Sequence, residues 1–169
     1  MPDLQREAGV ALGDGWPADV RAGIACYRAA DAVFHDLDAF RSQSAELTRA
    51  LLDAGVPRGA ARAVGHAGWE LLFDGALLAD DALVDGYLAA MRVPVTDPAW
   101  SAVLARRVAR GVPTFYAEPA HVTELLWRVL GARRLLAFDR AHCDAVTACL
   151  RAAQPSIAAS VDEVFAALA

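Results

Sequence analysis

The sequence predicts an all-α protein with about seven or eight helices. Apolar residues recur at helical spacing along the chain, and no segment alternates convincingly between apolar and polar residues as a half-buried strand does. Proline and glycine fall where the periodic segments begin and end. With 169 residues the chain is long enough for a real core, and we expect a single helical domain over residues 1–169.

The breakers place the helices in chain order. The predicted helices cover roughly 17–40, 42–54, 63–79, 81–91, 98–110, 119–130, 133–153 and 156–168. Asp97 followed by Pro98 is typical of an N-cap and a first helical residue, and Gly111 ends the same helix. Pro155 is predicted to separate the last two helices, because proline lacks the amide hydrogen that a helix interior needs.

The stretch from Ala63 to Ala79 is apolar or glycine at almost every position. Its exceptions, His66, Glu70 and Asp74, recur at four-residue spacing and therefore form one stripe on a helix. A helix that is apolar on nearly all sides is predicted to be buried, and carboxylates there are costly unless they are paired or bind a metal ion. The stripe therefore predicts a polar functional site inside the protein.

A second stripe lies on the helix predicted over residues 17–40. Tyr27, Asp31 and His35 are again four residues apart, and Asp31 lies on the apolar face. Two helices that each direct an acid and an imidazole inward can form one centre, so we expect Asp31 and Glu70 to face each other. Carboxylate and imidazole together suit Mn²⁺, Fe²⁺ or Zn²⁺, whereas Mg²⁺ prefers oxygen ligands.

Composition excludes several classes of protein. The net charge of −5 argues against nucleic-acid binding, and the absence of lysine excludes Schiff-base chemistry. Three cysteines without a C-x-x-C motif fit neither a disulfide framework nor a zinc ribbon, which indicates a cytoplasmic protein. No apolar run is long enough to predict a membrane span, and no signal peptide is expected.

Three segments combine acids with a helical pattern. They are GVALGD (Gly9–Asp14), PADVRAGIACYRAADAVFHD (Pro17–Asp36) and WELLFDGALL (Trp69–Leu78), and the tail VLGARRLLAFD (Val129–Asp139) fits more loosely. Together they resemble the acyl-carrier-protein phosphodiesterase family. Members of that family have an all-helical fold related to the HD-domain hydrolases and remove the phosphopantetheine arm from carrier protein with a divalent metal ion, typically Mn²⁺. The resemblance implies a diverged metal-dependent hydrolase.

The resemblance also assigns residues. Asp14, Asp31 and Asp74 match acids of the family, His35 and Glu70 stand where it has Asp, and Tyr27 and Gly75 stand where it has His. His66 lies outside the motif and is available to replace a lost imidazole. The implied metal ligands are Asp14, Asp31, His35, His66, Glu70 and Asp74. The implied catalytic residues are Asp31, Glu70, Asp74 and Tyr27. Arg28, Trp69 and Trp16 are candidates for substrate binding, the arginine through its charge and the two indoles as walls of a pocket.

The substitutions bear on the substrate. Gly75 removes a side chain beside Asp74, so we expect space there for a small organic molecule or a carrier-bound acyl chain. An alternative is a metal-free biosynthetic enzyme, a cyclase, isomerase or dehydratase, in which buried carboxylates act as general acid and base. Two further alternatives stay open. The protein binds a polar ligand without catalysis, or the acids have a structural role and are paired with Arg28 or Arg62.

Overall fold

The computed structural model describes residues 7–9 and 18–168, without the side chains of Asp19 and Val20. These residues form eight α-helices and no strand, which confirms the predicted all-α class. The helices are α1 (Ala18–Asp36), α2 (Asp38–Asp53), α3 (Arg58–Leu77), α4 (Asp81–Met91), α5 (Pro98–Arg110), α6 (Pro119–Gly131), α7 (Cys143–Ala159) and α8 (Val161–Leu168). Two short 3-10 helices, Thr114–Ala117 and Arg140–His142, precede α6 and α7. Within this part of the chain, no helix has the length and apolar character needed to cross a membrane.

Predicted boundaries agree with the structure where a side chain caps the helix. α4 and α5 cover the predicted residues, and the carboxylates of Asp80 and Asp97 accept hydrogen bonds from first-turn amides of these helices. Gly111, just after α5, has φ 69°, in the left-handed region that glycine tolerates best. The ends of α4 and α5 can therefore be predicted from the sequence, because the capping residues set them.

The predicted first helix is too long. It ends at Asp36 instead of residue 40, and Leu37 adopts an extended conformation (φ −62°, ψ 136°) before α2 begins. Neither glycine nor proline marks this break. The change of direction at Leu37 brings Phe40 of α2 next to His35 of α1, so the break helps to build the site.

The predicted helix over residues 133–153 begins too early, and the predicted break at Pro155 is wrong. Residues 132–136 form turns and a bend, and the Leu135 carbonyl lies so close to α3 that a Cβ on Gly59 would clash with it. α7 begins later and continues through Pro155 to Ala159. Packing on both sides of the proline outweighs the lost hydrogen bond, since Gln154 Nε2 donates to the Ala117 carbonyl at 2.7 Å and Ile157 is fully buried.

The chain divides into two compact units. One comprises the described part of residues 1–30 together with Asp80–Pro113, and in it α4 packs against α5. The other comprises Asp31–Ala79 together with the described part of residues 114–169. The division falls within α1, and every residue of the site described below belongs to the second unit.

In the second unit α3 contacts α2, α6 and α7. Side chains at most 1% exposed form the core between α3 and these neighbours, and they include Val64, Trp69 and Leu72 of α3 together with Leu51, Val122, Val146, Leu150 and Ile157. Gly65 allows α2 to approach closely, because a Cβ at this position would clash with the Thr48 hydroxyl. α3 is therefore the central helix of this unit.

The polar stripe of α3 lies at the surface of the protein, and the prediction of an interior site is wrong. His66 and Asp74 are exposed and Glu70 is partly buried. Four-residue spacing keeps the three side chains on one edge of the helix, and that edge faces solvent while the other faces meet neighbouring helices. The two carboxylates therefore keep part of their hydration.

Candidate metal centre

One carboxylate oxygen joins two imidazoles that come from different helices. Glu70 Oε1 lies 3.0 Å from His35 Nε2 and 3.3 Å from His66 Nε2. His35 lies in the last turn of α1, whereas His66 and Glu70 are one turn apart on α3. One ligand atom from each of the three residues lies within 4.8 Å of the others. The three side chains therefore converge closely enough to share one ion.

A hydrogen bond fixes which nitrogen of His35 faces this cluster. Nδ1 lies 2.8 Å from the backbone carbonyl oxygen of Asp31, which can only accept, so Nδ1 carries a proton and donates it. Nε2 then faces Glu70, where it either carries a second proton or is free to bind a metal ion. A backbone carbonyl that accepts from the remote nitrogen is a common way to orient a metal-binding histidine.

The surroundings raise the pKa of His35 above its ordinary value. Partial burial opposes protonation, but hydrogen bonds to the Asp31 carbonyl and the Glu70 carboxylate, with the charges of both carboxylates, outweigh it. The nearer oxygen of the Asp31 carboxylate is 3.8 Å from Nδ1. Without an ion, the cluster therefore favours the imidazolium form of His35 paired with Glu70.

Aromatic packing holds the two imidazoles parallel. The rings of His35 and His66 stack with centroids 5.2 Å apart and an interplanar angle of 7°. Phe40 meets each of them edge to face at 5.1 Å and is only 4% exposed. Sequence analysis missed Phe40, since a phenylalanine at a helical core position carries no signal of its neighbours. Both imidazoles thus pack against a buried aromatic ring of the core.

Trp69 belongs to this core, and the prediction that it binds substrate is wrong. Its side chain is fully buried, stacks on Phe73 at 5.1 Å and meets Phe40 edge to face. Its indole N–H donates a hydrogen bond to Gln43 Oε1 at 3.0 Å. A ring that is enclosed on all sides has no face to offer a substrate.

Asp74 lies one turn beyond Glu70 on α3. The residue is exposed, yet desolvation by the surrounding protein, followed by repulsion from the Glu70 carboxylate, raises its pKa to about 6. A carboxyl group that titrates near neutral pH is suited to proton transfer. Asp74 therefore lies beside the cluster as a candidate acid–base group.

The space expected beside Gly75 is filled, and the prediction of extra volume there is wrong. A Cβ at Gly75 would lie 2.5 Å from the Tyr116 carbonyl oxygen and 2.8 Å from the Ala117 amide nitrogen. The glycine is needed for close contact between α3 and the 3-10 helix over Thr114–Ala117. A histidine at this position could not be accommodated without moving backbone.

The other predicted site residues are not members of the cluster or fall outside the described residues. Asp31 is exposed and contributes its carbonyl; His35, one turn later, occupies the place facing Glu70 that the sequence assigned to Asp31. Tyr27 and Arg28 are exposed residues of the first unit. Asp14 and Trp16 lie outside the described residues. Of the six predicted ligands, the structure brings together three: His35, His66 and Glu70.

The donor set fits a divalent transition metal. Two imidazoles and one carboxylate bind Zn²⁺ in hydrolases and Fe²⁺ in non-haem iron enzymes, and this set leaves coordination positions open for water or substrate.

Comparison of the chain with family profiles, curated proteins and solved structures found no match.

Proposed function

We propose that this protein is a metal-dependent hydrolase of phosphodiesterase type whose ion is held by His35, His66 and Glu70. The supporting observation is the convergence of their ligand atoms within 4.8 Å, with His35 already oriented by a backbone carbonyl. The resemblance of the segments around Asp31 and Asp74 to the carrier-protein phosphodiesterases favours a phosphodiester substrate. That substrate is a small molecule or a group attached to a carrier protein.

In this proposal the metal ion, the Asp31 carbonyl and the Asp74 carboxylate each have a different role. Mn²⁺, Fe²⁺ or Zn²⁺ at this site would lower the pKa of a water molecule and polarise a phosphoryl oxygen. The Asp31 carbonyl keeps Nε2 of His35 directed at the site. Asp74, with a pKa of about 6, is mostly ionised at neutral pH, and in this proposal it accepts a proton from the attacking water.

Metal binding tests the proposal directly. Protein purified without chelator should contain or take up about one equivalent of Mn²⁺, Fe²⁺ or Zn²⁺, measured by elemental analysis and calorimetry. His66→Ala and Glu70→Gln should each weaken metal binding by more than the roughly 10- to 100-fold that is lost when a hydrogen-bond partner of a metal ligand is removed. His121→Ala, at an exposed histidine of α6, is the matched control and should bind as the wild type does. Absence of binding to the wild type, or unchanged binding to Glu70→Gln, would contradict the proposal.

Asp31→Asn separates the role of the backbone from that of the side chain. Asparagine keeps the carbonyl that accepts from His35 Nδ1 and removes only an exposed charge at 3.8 Å. We therefore expect metal affinity to fall by no more than about fivefold, as for an exposed ion pair. A loss as large as that of Glu70→Gln would instead make the Asp31 carboxylate a ligand, as the resemblance implies.

A metal-free acid–base enzyme is the second candidate. It is favoured by the hydrogen bond between His35 and Glu70, which is complete without an ion, and by the raised pKa of Asp74 beside it. Such a set could move protons in a cyclisation, isomerisation or dehydration. Turnover that survives EDTA but is lost in Glu70→Gln would support this candidate against the hydrolase.

A further inference from the structure

The polar stripe of α3 continues toward the N-terminus of the helix with the guanidinium group of Arg62. Arg62 lies one turn before His66 and is exposed. It forms no ion pair or hydrogen bond with any residue that the structure describes. The sequence left open that Arg62 neutralises the acids of the stripe, but Glu70 is engaged by the two histidines instead.

Helix geometry places Arg62 beside the candidate metal centre. Residues four apart are offset by about 40° around a helix, so Arg62 and Glu70 flank His66 on its two sides. Their Cβ atoms are about 5–6 Å from that of His66. Helical side chains all lean toward the N-terminus, so the neighbour spacing between Arg62 and His66 is kept along the helix, and the long side chain of Arg62 can extend over the next turn. A ligand seated on the cluster is therefore within reach of the guanidinium.

The N-terminal end of α3 is electropositive. Arg58 and Arg62 occupy its first two turns, no acid lies in the first turn, and Pro57 provides no side-chain cap for the free amides. Cations near a helix N-terminus oppose the helix dipole, so this placement does not stabilise α3. Asp74 lies one turn beyond Glu70 on the same helix. The centre therefore lies between the arginines of the first two turns and the carboxyl group of Asp74.

We infer that Arg62 binds the anionic group of the substrate, which is a phosphate ester with phosphoryl oxygens reaching both the guanidinium and the ion site. This inference rests on the proposed function and adds a residue that recognises the substrate. Arginine suits the role because its planar donors form paired hydrogen bonds with phosphate. Asp74, on the far side of Glu70, is left free for proton transfer.

Inorganic phosphate and Co²⁺-loaded protein provide the test, because the visible spectrum of Co²⁺ reports binding at the ion without turnover. Arg62→Ala should weaken phosphate binding by about tenfold or more, and leave Co²⁺ affinity and the phosphate-free spectrum unchanged. Arg62→Lys should recover part of the affinity. Arg58→Ala is the matched control: it lies two turns from His66, about 12 Å along the helix, and should lose about twofold at most at physiological salt.

The outcomes separate the inference from the proposed function. Equal losses in Arg62→Ala and Arg58→Ala would show a general electrostatic field and overturn the role of Arg62. Unchanged phosphate affinity in Arg62→Ala, or no phosphate binding to Co²⁺-loaded wild type, would overturn it as well. Failure of the wild type to bind Co²⁺, Mn²⁺, Fe²⁺ or Zn²⁺ would instead overturn the proposed function.

Discussion

Asp74→Asn is expected to stabilise the protein at pH 8 and to have little effect at pH 4. In the folded protein the pKa of Asp74 is about 6, against an ordinary value of 3.8. Between these values the folded protein binds more protons than the unfolded chain, so this group makes stability fall as pH rises from about 4 to about 6. Above about pH 6 the loss is complete and constant. Asparagine carries no charge, so the variant lacks this loss.

The magnitude follows from the shift and from exposure. A change from 3.8 to about 6 would correspond to about 3 kcal/mol for a group shielded from water. Asp74 is exposed, and solvent screening reduces the contribution. We therefore expect the variant to gain about 1 kcal/mol in the free energy of unfolding at pH 8.

Urea denaturation of wild type and variant at pH 4, 5, 6 and 8 measures this difference. Glu46→Gln, at an exposed position within α2, is the control and should stay within about 0.5 kcal/mol of the wild type at each pH. A gain that does not vary with pH would refute desolvation as the cause. A loss of stability at pH 8 would show that the Asp74 carboxylate makes stabilising contacts.

Two further changes test the geometry of the second unit and of its cluster. Glu70→Gln should lower the pKa of His35 in metal-free protein, because the carboxylate charge that favours the imidazolium is removed. NMR titration of the ring protons measures this pKa. The same titration of Glu46→Gln, the control, should match the wild type. Gly75→Ala should destabilise by about 1–3 kcal/mol in thermal or urea unfolding, because its Cβ would lie 2.5 Å from a backbone carbonyl oxygen. Gly86→Ala, where nothing lies within 4 Å of the added Cβ, should instead gain up to about 1 kcal/mol, and equal effects of the two changes would contradict the close contact at Gly75.

Local chemistry made much of the fold readable from sequence. The ends of α4 and α5 are set by Asp80, Asp97 and Gly111, whose capping roles depend on their own side chains and backbone freedom. The breaks that the sequence did not show depend on distant residues. Leu37 has no breaker character, and α7 passes Pro155 because packing holds both sides of it. Such boundaries are set by tertiary packing and cannot be predicted from the local sequence.

The site divides in the same way. Four-residue spacing correctly placed His66 and Glu70 side by side, because both are on one helix. The pairing of His35 with Glu70 depends on how α1 meets α3, which no pattern within α1 records. The contact that Asp31 makes with His35 Nδ1 at 2.8 Å comes from its carbonyl oxygen, which every residue type possesses, so no side-chain pattern could indicate it.

In the proposed metal site, the sharing of one Glu70 oxygen by two imidazoles would make metal uptake an exchange of a cation for a proton. With Nδ1 of His35 committed to a carbonyl, an entering cation must displace the proton on Nε2 that otherwise holds the ring to Glu70. Below the raised pKa of His35, metal binding would therefore release a proton to the buffer, and its measured heat would vary with the buffer's own enthalpy of ionisation. Apparent affinity would also fall in acid, because protons compete with the cation for Nε2 of His35.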